Sequence, residues 1–315
     1  MRSRDMKRML SMAPRLTPGQ RLELLGALQM QAAGAESVAV VQARLQTQLA
    51  CPHCRGERVV CKGQARGQQR YKCRGCAKTF NALTGTPLAR LRHKAKWLEQ
   101  AQVLHEGLSV HAAAERLQVA ASTAFRWRHR FLTLPQEAKA ALLHGVAEAD
   151  ETYFLRSFKG QRVTKRASRS RGGKAAKRGL SQEQVPVLVA RDRSGSTTDF
   201  ILEAADKIHV VAALRPVLPA DAILCTDGSG MLAAVAKQLG IEHHALNASA
   251  GVRVQGPWHI QNVNAYHGRL KEWLRRFHGV ATSHLASYLG WFRALDRSSR
   301  IPTTSAQLLA LAVSA

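Results

Sequence analysis

Four cysteines constrain this chain more than any other feature. Cys51-Pro-His-Cys54 is followed, after 18 intervening residues, by Cys73-Arg-Gly-Cys76, within the spacing used by tetrahedral zinc sites. Each pair lies on a turn marked by Pro52 or Gly75, so two thiolates from each can point at one centre. Four sulfur ligands at about 2.3 Å fill the shell of Zn²⁺, which makes the expected site structural, with no open position for a reactant. Cys61 is left over and reads as a free thiol, and His53 reads as a turn residue. A redox pair would need only one Cys-x2-Cys unit. Six cysteines in 315 residues are too few for a disulfide scaffold, which points to a reducing cytoplasm.

Charge narrows the partner. Lys plus Arg number 47 against 21 Asp plus Glu, a net +26, whereas solubility alone asks for a magnitude of about 2 to 8 in a small domain. No run of about 18 apolar residues and no lipidation motif argues for a membrane, so a nucleic acid is the expected polyanion. The expected ribbon is itself basic, with Arg55, Arg58, Lys62, Arg66, Arg70, Lys72 and Arg74. Residues 156–178 hold ten Lys or Arg and no acid, the composition of a solvated loop that can also order on a phosphate backbone.

The chain reads as multidomain. Residues 1–48 form a helical lead-in, in which 17–48 read as two short helices, with Gly34-Ala35 separating Leu22, Leu25 and Leu28 from Val38, Val41 and Leu45. Residues 49–88 are the zinc ribbon. Residues 92–134 contain three helical patterns, the second capped by Ser109, and the third carries Arg126, Arg128, His129 and Arg130. That arrangement fits a helix-turn-helix whose last helix meets a DNA groove, or a plain three-helix bundle with a solvated basic face; the neighbouring basic ribbon favours DNA. Residues 142–300 alternate α and β, with strands expected at 146–154, 185–190, 197–202, 222–226 and 241–246, a helix at 229–239, and a basic insertion at 156–184. Three antiparallel strands, a helix-bearing crossover and two more strands resemble the order of a ribonuclease H-like fold with a mixed five-stranded sheet.

Within that fold two acids draw together. Asp150 lies in the first strand, in Glu148-Ala-Asp-Glu-Thr-Tyr153, and Asp227 ends the fourth, in Cys225-Thr-Asp-Gly228. Singly, each has a plain explanation, since Asp-Gly is a standard turn signal. In a ribonuclease H-like sheet, however, the first and fourth strands are neighbours, so the carboxylates can converge to hold divalent ions about 3.5 to 4 Å apart. A helix at 259–273 follows, with Val263, Tyr266, Leu270 and Trp273 as its core stripe. Asn264 and Lys271, two turns apart, share one face with His267 between them. An Asn oxygen can ligate Mg²⁺, and a Lys can reach a bound phosphate.

Together these motifs resemble the insertion-sequence transposases of the DDE superfamily, in the branch with a zinc ribbon and an Asp-Asp-Asn-Lys signature. The resemblance runs from about Cys51 to Leu295 and includes Asp150-Glu-Thr-Tyr153, Thr226-Asp-Gly228, Val263-Asn-Ala-Tyr-His267, Leu270-Lys271, His278-Gly-Val-Ala-Thr282 and Tyr288-Leu-Gly-Trp291. It implies Asp150, Asp227 and Asn264 as ligands of catalytic Mg²⁺ or Mn²⁺, Lys271 as a DNA contact, and 36 residues between Asp227 and Asn264, as in the Asn-bearing branch. Asn here, where the wider superfamily has Glu, leaves the site one negative charge short, with Glu148, Glu151 and Glu272 as the candidate carboxylates to compensate.

The activity implied is binding of the inverted-repeat ends of an element, divalent-metal-dependent strand cleavage, and strand transfer by the freed 3′ hydroxyl. The ribbon and helix-turn-helix would read the ends, while Arg269, Arg275 and Arg276 would hold backbone. The partner is double-stranded DNA, the assembly a homodimer or higher, and the setting a bacterial cytoplasm beside the nucleoid. Two rivals predict different outcomes: a ribonuclease H-like nuclease that never joins strands, and a non-catalytic zinc-ribbon and helix-turn-helix regulator.

Overall fold

The computed structural model describes residues 3–47, 49–161, 173, 175–176, 181–247, 250–298 and 304–314. Most of the basic stretch at 156–178 lies outside the described residues. The chain divides into two compact units, Met1–Leu134 with Thr303–Ala315, and Pro135–Pro302.

The first unit opens with α1 (Ser3–Met12), a 3-10 turn at Ala13–Arg15 and α2 (Pro18–Thr47). Pro18 takes the first helical position, and Thr17 and Gln20 exchange hydrogen bonds of 2.9 and 3.3 Å as a capping box. The expected pair of short helices is instead one helix of 30 residues. A glycine inside a helix costs only about 1 kcal/mol, and α2 runs through Gly34 beside Ala95, where an added Cβ would make only ordinary contact at 3.8 Å from the Ala95 Cβ.

Next come β1 (Val59–Ala65), β2 (Gln68–Cys73) and β3 (Thr79–Phe80), an antiparallel three-stranded ribbon. Three helices follow: α3 (Trp97–His105), α4 (Val110–Leu117) and α5 (Ala121–Glu137). Ser109 caps α4 by accepting from the Ala112 amide at 3.2 Å, and Gln118 ends it in the left-handed region. Val103, Ala113, Ala114, Leu117 and Ala124 form the small core of the three helices.

The second unit is built on β4 (Val146–Leu155), β5 (Gln184–Asp192), β6 (Thr197–Ile201), α6 (Lys207–Leu214), β7 (Ile223–Thr226), α7 (Gly230–Leu239) and β8 (Glu242–Ala245). A hairpin of β9 (Val254–Gln255) and β10 (Trp258–His259) leads into α8 (Gln261–Arg275) and α9 (Leu285–Ser298). The strand order is β6-β5-β4-β7-β8, with β4, β5 and β6 antiparallel and β7 and β8 parallel to β4. This is the ribonuclease H-like order, and it makes the first and fourth strands neighbours.

Period-2 alternation along β4 sends Ala147 and Ala149 into one core with Val210 and Leu214 of α6 and Leu232 and Val235 of α7. The opposite face meets α8 and α9. There Arg191 reaches Asp296 at 2.6 Å and lies over the Tyr266 ring at 5.4 Å, and Arg293 pairs with Asp199. Gly290 is required in α9 because a Cβ would stand 2.5 Å from Gln136 Cα.

The chain then returns to the first unit. α10 (Ser305–Leu311), with its own Thr304 and Gln307 capping box, buries Leu308 and Leu309 and hydrogen-bonds Gln102 of α3 through Ser305 at 2.5 Å. Nothing in the sequence reading assigned this segment.

Candidate functional site

The cysteine site is local. Cys51 and Cys76 sulfurs lie 3.6 Å apart, as do those of Cys54 and Cys73, and all four fall within 4.8 Å of one another. Tetrahedral sulfurs at about 2.3 Å from zinc stand about 3.8 Å from each other, so the donor set fits that ion. The Cys76 amide, 3.5 Å from Cys73 Sγ, draws that thiol down to about 7. Among the described residues this is the group of three or more His, Cys, Asp or Glu ligands that closes this tightly.

The carboxylate site is assembled at a distance. The β4–β7 ladder pairs Val146 with Ile223, Ala147 with Leu224 and Glu148 with Cys225. Continued by two residues, that register brings Asp150, midway along β4, level with Asp227, the residue after β7, on adjacent parallel strands spaced by about 4.8 Å. β7 ends at Thr226, and Gly228, with φ of 84°, turns the chain into α7. One Asp227 oxygen accepts from the Ser229 amide at 2.9 Å, and the side chain is otherwise exposed.

Alternation also places Glu148 on the face of Asp150, and there it fastens α8. Fully buried, it accepts from the Val263 amide and the Asn262 side chain, both at 2.9 Å, and pairs with Arg193. Arg193 in turn donates to the Pro257 and His259 carbonyls at 3.1 and 3.3 Å. One helical turn later, His267 Nδ1 lies 3.4 Å from Asp150 Oδ2. Two strand residues advance about 6.8 Å and four helical residues about 6 Å, so the contacts 148–263 and 150–267 run in step.

Asn264 and Lys271 are exposed on either side of His267 along that helix face. The Asn264 amide makes no side-chain hydrogen bond among the described residues. Asp150 and Asp227 thus belong to neighbouring strands, and Asn264 is exposed on the helix that Glu148 fastens to β4.

Negative charge accumulates at this end of the sheet. Burial, then the Asp150 and Asp227 carboxylates, push Glu151 up to about 7, and its Oε1 is buried without a hydrogen-bond partner. Concentrating like charges in a chain of net +26 suits a cation. Of the three carboxylates that might have offset the missing charge, Glu148 is spent on α8 and Glu272 pairs on the surface with Arg275 at 2.7 Å. Glu151 is the one that senses both aspartates.

Several basic residues expected on DNA have other employment. Arg128 is buried and donates to the Leu108 carbonyl at 2.6 Å, which corrects its assignment to a groove: α5 turns that side into the three-helix core. Arg130 donates to the carbonyls of Pro87 and Ala89, leaving Arg126 exposed. Arg269 forms a two-pronged bond to the buried Asp296 at 2.9 and 2.6 Å, so it ties α8 to α9. Arg275 is largely exposed beside Glu272.

The sequence reading missed Glu148, Arg193 and Asn262 as positioning groups. The signal was available for Glu148, two residues before Asp150 and so on the same face; Arg193 and Asn262 meet it only through the fold.

Comparisons with known proteins agree with the architecture. Residues 142–293 match the model of the ISXO2-like transposase domain, and residues 88–136 match that of a homeodomain-like domain. A protein from Halobacterium salinarum described as an uncharacterized protein in transposable element ISH50 is 28% identical over 270 residues, covering 84% of this chain and 90% of that protein. Among solved structures, a simian T-cell lymphotropic virus intasome bound to PP2A regulatory subunit B56 gamma aligns at 14% identity and TM-score 0.27, over 61% of this chain and 66% of that one, just under two thirds of its length. A pre-cleavage Mos1 transpososome aligns at 14% identity and TM-score 0.22, over 64% and 77% of the two chains. Overlaps of that size carry no weight beside the strand order itself. On the two family matches and the transposable-element relative, the chain carries a homeodomain-like domain followed by an ISXO2-like transposase domain, which supports a place in the DDE superfamily.

Proposed function

We propose that this transposase cuts DNA at the inverted-repeat ends of its element and joins the freed 3′ ends to target DNA, using divalent cations held by Asp150, Asp227 and Asn264. The observation that carries this reading is the β4–β7 register, which continued by two residues brings Asp150 level with Asp227, beside a third acid, Glu151, pushed up to about 7 by burial and then by both carboxylates. Bound Mg²⁺ or Mn²⁺ would supply an activated water and neutralise charge on the scissile phosphate.

The protein's own groups do the rest. Glu148 and Arg193 hold α8, which carries Asn264, against β4. His267 fixes the orientation of Asp150. Lys271, one turn beyond His267, receives the phosphate backbone, and the cysteine ribbon with zinc and the exposed Arg126 of α5 engage the element's end. Each step exchanges one phosphodiester for another or for water, so neither ATP nor a covalent protein intermediate is required.

The test is cleavage of a terminal-inverted-repeat duplex in Mg²⁺ or Mn²⁺, followed by transfer to a target plasmid. Asp227→Ala should lower both steps by at least about a thousandfold, the scale of losing a group that stabilises charge directly. Full activity in that variant refutes the ligand set. Cleavage without any joined product would instead identify a nuclease of the same fold.

A further inference from the structure

α5 turns one narrow face to solvent. At about 100° per residue, Ser122, Phe125, Arg126, His129 and Thr133 fall within about 100° of one another around the helix, while the buried Ala124, Trp127 and Phe131 lie opposite. His129 is half-buried and the other four are exposed. Arg128 and Arg130, engaged with the carbonyls of Leu108, Pro87 and Ala89, leave Arg126 as the cation of this face. Phe125 is its odd member. The ring is 40% exposed and is braced edge-on by that of His129, with centroids 4.5 Å apart. No other large hydrophobic side chain is exposed among the described residues between Leu49 and Leu142.

Charge and fold together say what covers the ring. No Asp or Glu lies between Glu115 and Glu137, so this face carries nothing that repels phosphate. α4, the left-handed residue Gln118 and α5 place it on the second helix of a helix-turn-helix, the element that enters a major groove. A phosphate needs a donor, and a phenyl ring has none. What the ring can meet in that groove is the apolar group that a base edge presents there, the methyl of thymine. A protein partner would have to bury Arg126 beside the ring and supply it with an acid, whereas DNA offers acceptors at every base pair.

We infer that Phe125 reads thymine by its methyl group, so that recognition of the element's end is carried in part by an apolar contact beside the polar one made by Arg126. Phe125 and Arg126 are successive residues, and base pairs stack about 3.4 Å apart, so the thymine belongs within about two pairs of the base that Arg126 meets. His129 is a positioning residue, its ring braced against that of Phe125. The inference rests on the proposed binding of element ends by the helix-turn-helix, and it adds to that reading a base and the chemical group by which the base is known.

The test replaces each thymine of the terminal-inverted-repeat duplex singly by deoxyuridine, which removes the methyl and leaves the pairing edge intact. Binding of the full-length, zinc-loaded chain is measured without Mg²⁺ or Mn²⁺, so that nothing is cut. The expected result is a position at which deoxyuridine weakens wild-type binding about fourfold, the scale of one buried methyl group. Phe125→Ala should bind the thymine duplex more weakly by at least that factor and no longer distinguish it from the uracil duplex. Its deficit should be the same at about 50 and about 200 mM salt, because an apolar contact releases no counterion. The wild-type measurement needs no variant, so a misfolded Phe125→Ala cannot hide the answer. Wild-type binding indifferent to uracil at every position overturns the inference, as does a Phe125→Ala chain that still discriminates the two duplexes. So does a Phe125→Ala chain that binds DNA as the wild type does but sediments differently, which would give the ring to a protein partner. No preference for the inverted repeat over a random duplex would sink the end-reading and this inference with it; a preference that ignores uracil sinks this inference alone.

Discussion

The cysteine cluster and the proposed carboxylate site of this protein are built by opposite strategies. The four cysteines come from two turns of one small ribbon, and their sulfurs already stand within 4.8 Å of each other. Asp150 and Asp227 are 77 positions apart, meet only because β4 and β7 are neighbours, and depend on a separate helix for Asn264. In the first site the ligands make the fold; in the second the fold makes the ligands adjacent. A local site should therefore fail by unfolding when its ion is taken away, and an assembled one should keep its framework and lose its chemistry.

The largest expected effect lies in the ribbon. Structural zinc contributes on the order of 10 kcal/mol to small domains that fold around it. Removing zinc with a chelator, or replacing Cys73 by Ser, should unfold residues 49–88 by amide exchange while the strands β4 to β8 keep their protection. Equal loss of protection in both units would erase the contrast.

A smaller effect is expected at the clamp that aligns the assembled site. Glu148→Ala strands Arg193 and the α8 amide without their buried acceptor, a change that costs about 3 kcal/mol. Thermal unfolding of the second unit should register it, and Glu148→Gln, which keeps an acceptor, should recover part of the loss. A melt indistinguishable from wild type would mean that α8 is held by its aromatic packing alone.

The smallest effect concerns pH. Glu151 is raised from 4.5 to about 7, chiefly by burial and then by Asp150 and Asp227. A carboxyl whose folded pKa is raised stabilises the protein below its unfolded value, and that stability is lost as pH rises through about 7. In metal-free protein, denaturant titrations at about pH 5 and about pH 8 should show a fall that Glu151→Gln reduces. An identical fall in the variant would locate the sensitivity elsewhere.

The same contrast decides what could be read beforehand. Cysteine spacing is a local property, so the ribbon was legible at once. The strand order was legible because alternation and turn residues mark each strand of the sheet. Gly34 misled because a glycine inside a helix costs only about 1 kcal/mol, too little to end one. Arg128 misled because charge suggests solvent, whereas its guanidinium fills a hydrogen-bonding need inside the helices. The ties through Arg193, His267 and Asp296 join residues from distant segments, and no spacing rule announces them.

The placement of α10 has a consequence for how such a gene tolerates damage. Leu308 and Leu309 belong to the core of the first unit although they are encoded after the whole catalytic sheet. A premature stop codon anywhere in the sheet thus also strips hydrophobic filling from beneath the DNA-reading helices. Broken copies of this gene would not readily yield a well-folded end-binding fragment able to compete with the intact enzyme.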